Sequence, residues 1–183
     1  LEVDQQNLDA IYTSMRTIAG ATGVEKQAES LIGSMQAKLR MVGERSAKLP
    51  RVKTMFVVGR APGRLDGLIV AGSASYLNEL LALAGGQNVF RDAIASYPQV
   101  SLEEVIARNP EVIIDIGDMA DGASVTAARK QSVISVWQRA NTVKAVKDGR
   151  VYPVGADIFV VPGPRAVNAA EEIFAMLHPG AAR

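Results

Sequence analysis

The chain of 183 residues has a formal net charge of +1, with 48% hydrophobic and 21% charged residues. This balance is typical of a folded globular protein and excludes a mainly disordered one. The lysines and arginines are scattered, so no nucleic-acid footprint is present. There is no cysteine and a single histidine, His178. Disulfides and thiolate zinc sites are therefore excluded, and metal hydrolases and Ser-His-Asp enzymes have few usable groups.

The chain begins at Leu1 and shows neither a signal-like segment nor an apolar run long enough for a membrane helix, so we expect a mature or expressed fragment. Helical spacing of apolar residues begins after Asp4, which can serve as the N-cap. A second apolar face runs from Val24 to Val42, about 30 Å of helix. Such a rod is longer than a small lobe needs. Residues 1–49 are therefore predicted to form a helical segment of their own.

From Pro50 onward, short apolar runs alternate with helical segments, which is typical of βαβ units and a mostly parallel sheet. We predict strands at 52–58, 68–71, 112–116 and 151–154, and helices at 76–83, 102–108, 125–135, 136–140 and 165–177. Right-handed crossovers would place helices on both faces of the sheet, giving a Rossmann-like α/β lobe over residues 50–183. The helix residues predicted in its core are Leu77, Leu80, Leu81, Val105, Ile106, Ile173 and Phe174.

Ligands of doubly wound sheets bind outside the carboxyl ends of the strands. Three predicted loops occupy that position: 59–64, 117–122 and 155–164. The first reads GRAPGR and lacks both the Lys-Ser/Thr pair of a P-loop and the glycine pattern of dinucleotide sites. It is either a solvated turn or a loop in which Arg60 or Arg64 contacts an anionic group of a ligand.

Four more side chains are candidates for ligand contact. Tyr97 is an aromatic residue in a loop, where it either folds over the sheet edge or meets a ligand. Asp157 and Phe159 pair an acceptor with a ring after the last strand, although Asp157 can also make a local turn bond. Arg165 either braces a loop or touches the ligand. We expect Trp137, by contrast, to pack on the lobe, and His178 to be exposed or close to a helix C-terminus.

The segment YPQVSLEEVIARNPEVII, residues 97–114, is the most informative in the chain. Ser101 and Glu104 have the spacing of a capping box, and Asn109-Pro110 ends the short helix that the box begins. Glu103 has no such local partner. Its carboxylate either only interacts favourably with the N-terminal end of the helix dipole or projects toward a partner protein.

Six segments of the chain occur in an order found in a known family: a long helix, GLIVAGSASYLNELLALAGGQNVF, YPQVSLEEVIARNPEVII, a Trp-containing helix, KDGRVYPV and PGPR. They resemble the substrate-binding proteins of ABC importers for iron-siderophores, haem and cobalamin. The resemblance implies two α/β lobes bridged by one rigid helix, of which this chain holds the interlobe helix and the C-terminal lobe without the N-terminal lobe. It implies a binding protein and not an enzyme, located in the periplasm or otherwise outside the cytoplasm, with lipid anchoring allowed.

The resemblance also implies roles for single residues. Glu103 falls on the glutamate of a VSxE motif that pairs with an arginine of the ABC permease, and Tyr97 falls where an aromatic residue covers the ligand. Segment 157–165 matches a loop that lines the cleft. The lobe's loops contain no histidine, which favours a chelated or macrocyclic ligand over a bare metal ion. Siderophore, cobalamin and haem, which can use a tyrosinate ligand, all remain open; no cofactor is expected.

One alternative belongs to a different class: a small α/β enzyme acting on a phosphorylated or nucleotide substrate. Such an enzyme needs a general base near the strand ends. The residues that could supply it are Asp115, Asp118, Asp121 and Asp157.

Overall fold

The chain combines helices and strands, and the computed structural model describes residues 7–117, 126–155 and 157–181. The helices are α1 (Leu8–Thr22), α2 (Glu25–Ser46), α3 (Tyr76–Leu83), α4 (Leu102–Arg108), α5 (Ala127–Trp137), α6 (Lys144–Lys147), α7 (Asp157–Val160) and α8 (Ala166–Leu177). The strands are β1 (Val52–Gly59), β2 (Leu68–Val70), β3 (Gly86–Asn88), β4 (Gln99–Val100), β5 (Val112–Asp115) and β6 (Val151–Pro153). Within these described ranges, no helix is both long and apolar enough to cross a membrane.

The strands form one sheet in the order β4-β2-β1-β5-β6, and β3 lies beside the first half of β1. The pairs β1–β3, β1–β5 and β5–β6 are parallel, whereas β2 runs antiparallel to β1 and β4. The predicted, mostly parallel sheet is therefore confirmed. Strands β3 and β4 were not predicted because they are two or three residues long and partly polar, so they carry no clear alternation.

Helices cover both faces of the sheet, as predicted. Successive side chains of a strand point to opposite faces, and one buried cluster accordingly contains Phe56 and Ile114 together with α1, α2, α3 and α8 residues. The other cluster contains Met55 and Ile113 with residues of α4 and α5. The predicted core is confirmed except for Ile106, which is 42% exposed because the seven-residue α4 buries only Val105.

The first two helices form a hairpin that packs on α3 and α8. Asn7 caps α1 by accepting from the N–H of Ala10 at 2.7 Å, whereas Asp4, the predicted cap, lies outside the described residues. Helix α2 has 22 residues, and its buried side chains lie between Ile32 and Ser46, in its last two-thirds. The assignment of residues 1–49 to a separate segment stays a prediction.

His178 is buried, so it is not exposed, but it is the C-cap residue of α8, as the second interpretation predicted. Its ring packs on Phe174, with 5.3 Å between centroids. The turn after α3 leaves room for it, because a Cβ on Gly85 would lie 2.5 Å from Nε2 of His178. That Nε2 atom has no hydrogen bond of normal geometry within the described parts of the chain. Burial lowers the pKa of His178, and a backbone hydrogen bond at Ala84 acts in the opposite direction.

Candidate functional site

The carboxyl ends of β1 and β5 lie side by side, because Val57 pairs with Asp115 in parallel register. The loops that follow these two strands therefore begin at the same edge of the sheet, as the sequence predicted. The loop after β1 is described in full, and the loop after β5 as far as Gly117. Asp118 and Asp121, two of the candidate bases, lie outside the described residues.

A buried hydrogen-bond network, formed by Asp115, Arg60 and Trp137, occupies this edge. The Oδ2 atom of Asp115 accepts from Arg60 Nε at 3.0 Å and from Trp137 Nε1 at 2.6 Å. Its Oδ1 atom accepts from the N–H of Gly117 at 2.5 Å. The side chain of Arg60 is only 2% exposed. This placement corrects the expectation that Arg60 contacts a ligand, since its guanidinium balances a buried carboxylate. Trp137 packs on the lobe as predicted.

Asp115 is poorly suited to act as a general base. Its carboxylate is fully buried and already accepts from three donors, so abstracting a substrate proton would require breaking those bonds. The described residues also contain no group of three acidic or histidine side chains able to hold a metal ion. The geometry gives the enzyme alternative no support.

Arg64 is the arginine of the same loop that reaches the surface. Its side chain is 70% exposed and forms an ion pair with Asp66 at 2.6 Å. Two backbone bonds close the turn beneath it, from Arg64 N–H to the carbonyl of Ala61 and from Ala61 N–H to that of Asp66, at 3.1 and 3.0 Å. Arg64 is therefore held on a fixed turn, and its side chain is accessible to an anionic group of a ligand.

Tyr97 lies in a loop that is firmly bonded to the segment after β2. Gly72 N–H donates to the carbonyl of Ser96 at 2.9 Å, and Ser96 Oγ donates to that of Ala74 at 3.2 Å. A Cβ on Gly72 would collide with the carbonyl of Ala95, so this approach requires glycine. Tyr97 remains 46% exposed, and partial burial raises the pKa of its phenol. The loop thus holds a protonated aromatic side chain at the surface.

Tyr76 lies next to this loop and was expected to be a packing residue. It is buried, as expected, and its hydroxyl has no hydrogen-bond partner among the described residues. Burial raises its pKa, and the nearby Tyr97 raises it further. Tyr76 shares its apolar cluster with Phe56 and Phe159.

The segment from 157 to 165 forms the short helix α7 and the entry to α8. Phe159 is 1% exposed and packs on Phe56, with 5.4 Å between ring centroids. This corrects the expectation that its ring lines a cleft, since the ring fills the core between α7 and the sheet. The side chain of Asp157 lies outside the described part of the chain, and Arg165 is exposed at the N-terminus of α8.

The structure brings some candidate residues together and leaves others apart. Tyr97 lies close enough to Tyr76 to raise its pKa, and Tyr76 belongs with Phe159 of α7 to one apolar cluster. Tyr97 lies near Ala71, whose N–H donates to Phe56 in the middle of β1. Arg64, by contrast, lies beyond the end of β1.

The two adjacent acids at the start of α4, Glu103 and Glu104, have different surroundings. Ser101 N–H donates to Glu104 Oε2 at 2.9 Å, and Glu104 N–H donates to Ser101 Oγ at 3.2 Å, so the predicted capping box is confirmed. Glu103 is exposed in the same first turn and takes no part in this box. Its carboxylate is accessible from solvent.

The Asp115 network was not predicted from the sequence, although a signal was present. Asp115 ends the strand VIID, whose other residues are apolar. A carboxylate in such a strand must find a cation or several donors if it is buried. Arg60, the first residue after the neighbouring strand, was the available cation.

Comparison with known proteins gives a consistent picture. The chain is 31% identical to a vitamin B12-binding protein of Pectobacterium carotovorum, over 96% of this chain and 57% of that protein. It is 28% identical to the uncharacterized ABC transporter substrate-binding lipoprotein YvrC of Bacillus subtilis, over 96% of this chain and 52% of that protein. The chain thus spans about half the length of these relatives.

Among solved structures, the fold is similar to that of a possible iron-binding (periplasmic solute-binding) protein from Staphylococcus epidermidis. The TM-score is 0.80 at 23% identity, and the match covers 96% of this chain and 64% of that one. The model of the periplasmic binding protein family matches residues 1–158. On this match, with the α/β lobe described above, the chain belongs to the periplasmic binding protein family.

Proposed function

We propose that the chain forms one lobe of a solute-binding protein of an ABC import system. The lobe binds a cobalamin, haem or iron-siderophore ligand and delivers it to the permease. The observation that carries this proposal is the hydrogen-bonded Tyr97 loop, which holds a half-exposed aromatic ring close to Tyr76, a member of the apolar cluster that also contains Phe159 of α7. The relatives named for vitamin B12 binding and for ABC transport support it.

A ligand of this class needs a second surface. Good small-molecule sites bury most of the ligand, whereas Tyr97 and Arg64 are both exposed to solvent. We therefore infer that a second lobe, matching the remaining half of the relatives' length, covers the ligand from the other side. The protein then acts outside the cytoplasm, in the periplasm or held by a lipid anchor.

The choice of ligand follows from the groups available. An exposed tyrosine ring suits the apolar face of a macrocycle, and Arg64 suits a carboxylate or phosphate at its rim. Because burial raises the pKa of Tyr97, binding through the neutral ring is favoured over tyrosinate ligation of iron. Vitamin B12 is therefore the first ligand to test, followed by a ferric hydroxamate and haem.

The binding role is tested by calorimetric titration of the full-length protein with vitamin B12, a ferric hydroxamate and haem. Tyr97→Ala should weaken binding by about tenfold, since an aromatic contact contributes about 0.5–1.5 kcal/mol beyond its buried area. Tyr97→Phe keeps the ring and serves as the matched control. Equal affinities for Tyr97→Ala and the wild type would remove Tyr97 from the site. The isolated chain should bind weakly or not at all.

The docking role is tested on Glu103. In the full-length protein, Glu103→Ala should weaken binding to the permease and leave ligand affinity nearly unchanged, because the side chain projects from α4. Loss of one partner of a desolvated interfacial ion pair costs about 2–5 kcal/mol, and of a rim pair far less. Glu25→Ala is the matched control, because Glu25 is another exposed acid in the first turn of a helix. Unchanged docking together with lost ligand binding would show that Glu103 belongs to the ligand site and not to the permease-docking surface.

A further inference from the structure

The two loops at the carboxyl edge of β1 and β5 are joined through one buried carboxylate. Asp115 accepts from Arg60, which begins the first loop, and from the N–H of Gly117, which begins the second. It also accepts from Trp137 at the end of α5. Three segments distant in sequence are thereby fixed to a single side chain.

Arg60 extends this connection into the loop itself. While its Nε donates to Asp115, its Nη1 lies 3.4 Å from the carbonyl oxygen of Ala61 and 3.3 Å from that of Arg64. The guanidinium is buried and the side chain of Arg64 is exposed. The backbone of the exposed arginine is therefore held by the buried one.

Packing of the core alone does not require this hydrogen-bond network. An apolar pair would fill the same volume without the cost of burying two charges. The specific consequence of the ion pair is geometric: it sets the direction of the 60–66 turn and the left-handed start of the next loop at Gly117, where φ is +75°. Both loops begin at the edge where ligands of parallel sheets bind.

We propose that Asp115 is a positioning residue for the ligand site, acting through Arg60 to hold the 60–66 turn and Arg64 in the geometry that meets the ligand. This inference rests on the proposed function, because it assigns the turn to the ligand-binding face. Asp115 itself does not touch the ligand.

The first arm of the test uses the chain itself and measures amide hydrogen exchange. Asp115→Asn keeps the shape of the side chain and removes its charge, so Arg60 loses its counter-ion. The amides of Ala61 and Arg64 should exchange about tenfold faster or more, the ratio that corresponds to one lost hydrogen bond to a charged group. Ile113→Ala is the control, since it removes buried volume from the same strand while every hydrogen-bonding group of the network is kept.

The second arm measures the affinity of the full-length protein for vitamin B12, a ferric hydroxamate and haem. Asp115→Asn should lower the affinity for the bound probe by about tenfold, whereas folded Ile113→Ala should bind as the wild type does. The double variant Arg60→Met with Asp115→Asn removes both charges. It should regain much of the stability but none of the affinity, because methionine makes no bond to the turn.

Recovery of affinity together with stability in the double variant would overturn the proposal, since the pair would then serve the fold alone. Exchange rates and affinities equal to those of Ile113→Ala would overturn it as well. If the wild-type protein binds none of the three probes, the proposed function fails instead. The exchange arm then still decides whether Asp115 holds the turn.

Discussion

Two buried polar groups lie at opposite ends of the sheet and differ in how many hydrogen bonds they form. At the carboxyl end, Asp115 carries a charge and accepts from three donors. Near the amino end, His178 lies against Gly85, whose carbonyl accepts from Val52 at the start of β1, and its Nε2 atom has no well-formed hydrogen bond in the described part of the chain. A buried charge needs an opposite charge or several hydrogen bonds, whereas leaving one atom of a neutral ring without a hydrogen bond costs less.

The difference follows from what each group can become. His178 can stay neutral, because burial lowers its pKa and removes the charge from the folded state at neutral pH. Asp115 instead lies beside a guanidinium that cannot lose its proton. The carboxyl end therefore carries a fixed ion pair that shapes its loops, and the amino end carries a titratable ring that only fills space.

The largest effect is expected when one partner of the ion pair is removed. Asp115→Ala should lower the free energy of unfolding by about 3–5 kcal/mol, because Arg60 is left buried without a counter-ion. Urea titration followed by circular dichroism measures the change. The control is His178→Leu, which removes a poorly bonded nitrogen at similar volume and should cost far less. Equal costs for the two variants would contradict the comparison.

The apolar surroundings of the network give a second test. Ile114 is fully buried in β5, and Ile114→Ala should lower the free energy of unfolding by about 2–5 kcal/mol. Ile106→Ala changes the same residue type at an exposed position of α4 and should stay within about 0.5 kcal/mol. Urea titration of both variants measures the difference. A cost below about 1 kcal/mol for Ile114→Ala would mean that β5 is not central to the core.

Much of the fold could be predicted because apolar periodicity and local capping dominate it. Helices α3 and α4 cover the predicted ranges 76–83 and 102–108, and α4 begins at the predicted Ser101 cap. Strands β3 and β4 escaped prediction because their few backbone bonds depend on the position of β1 and β2, which no local pattern encodes. Ile106 was misassigned because helical spacing alone does not tell which side of a short helix meets the sheet.

The candidate site was less predictable, because loop sequences do not show which side chains turn inward. Arg60 and Arg64 look equivalent in GRAPGR, yet one is buried by Asp115 and the other lies at the surface. Phe159 likewise turned to the core because Phe56 was there to receive its ring. These distinctions arise from tertiary contacts between segments far apart in the sequence.

The stability that His178 contributes should depend on pH. Its folded-state pKa is lowered by burial from an ordinary value of 6.5, so the unfolded chain binds the proton more tightly. The stability due to the neutral ring is complete above pH 6.5 and is lost as the pH falls toward the folded-state pKa. The slope in this window approaches 1.4 kcal/mol per pH unit for one proton, about 2.303RT.

Urea titrations between pH 7.5 and 5.5 measure this effect. His178→Leu should flatten the pH dependence in the same interval, since no other histidine is present in the chain. The Asp115→Asn variant should keep the slope of the wild type, because its network lies at the other end of the sheet. A slope that persists in His178→Leu would show that the imidazole is not the titrating group.

The smallest effects are expected at the exposed polar contacts that begin α4, which complete the contrast with the buried groups. Ser101→Ala should cost about 1 kcal/mol, because the cap bond to Glu104 N–H is lost. Glu104→Gln should cost only a few tenths, since glutamine can replace glutamate in a capping box. Glu103→Ala should also cost a few tenths, as it removes one carboxylate from the helix N-terminus and no bond of the box. Thermal unfolding of the three variants under identical conditions ranks them, and a larger loss for Glu103→Ala than for Ser101→Ala would show that Glu103 serves the fold and is not free for a partner.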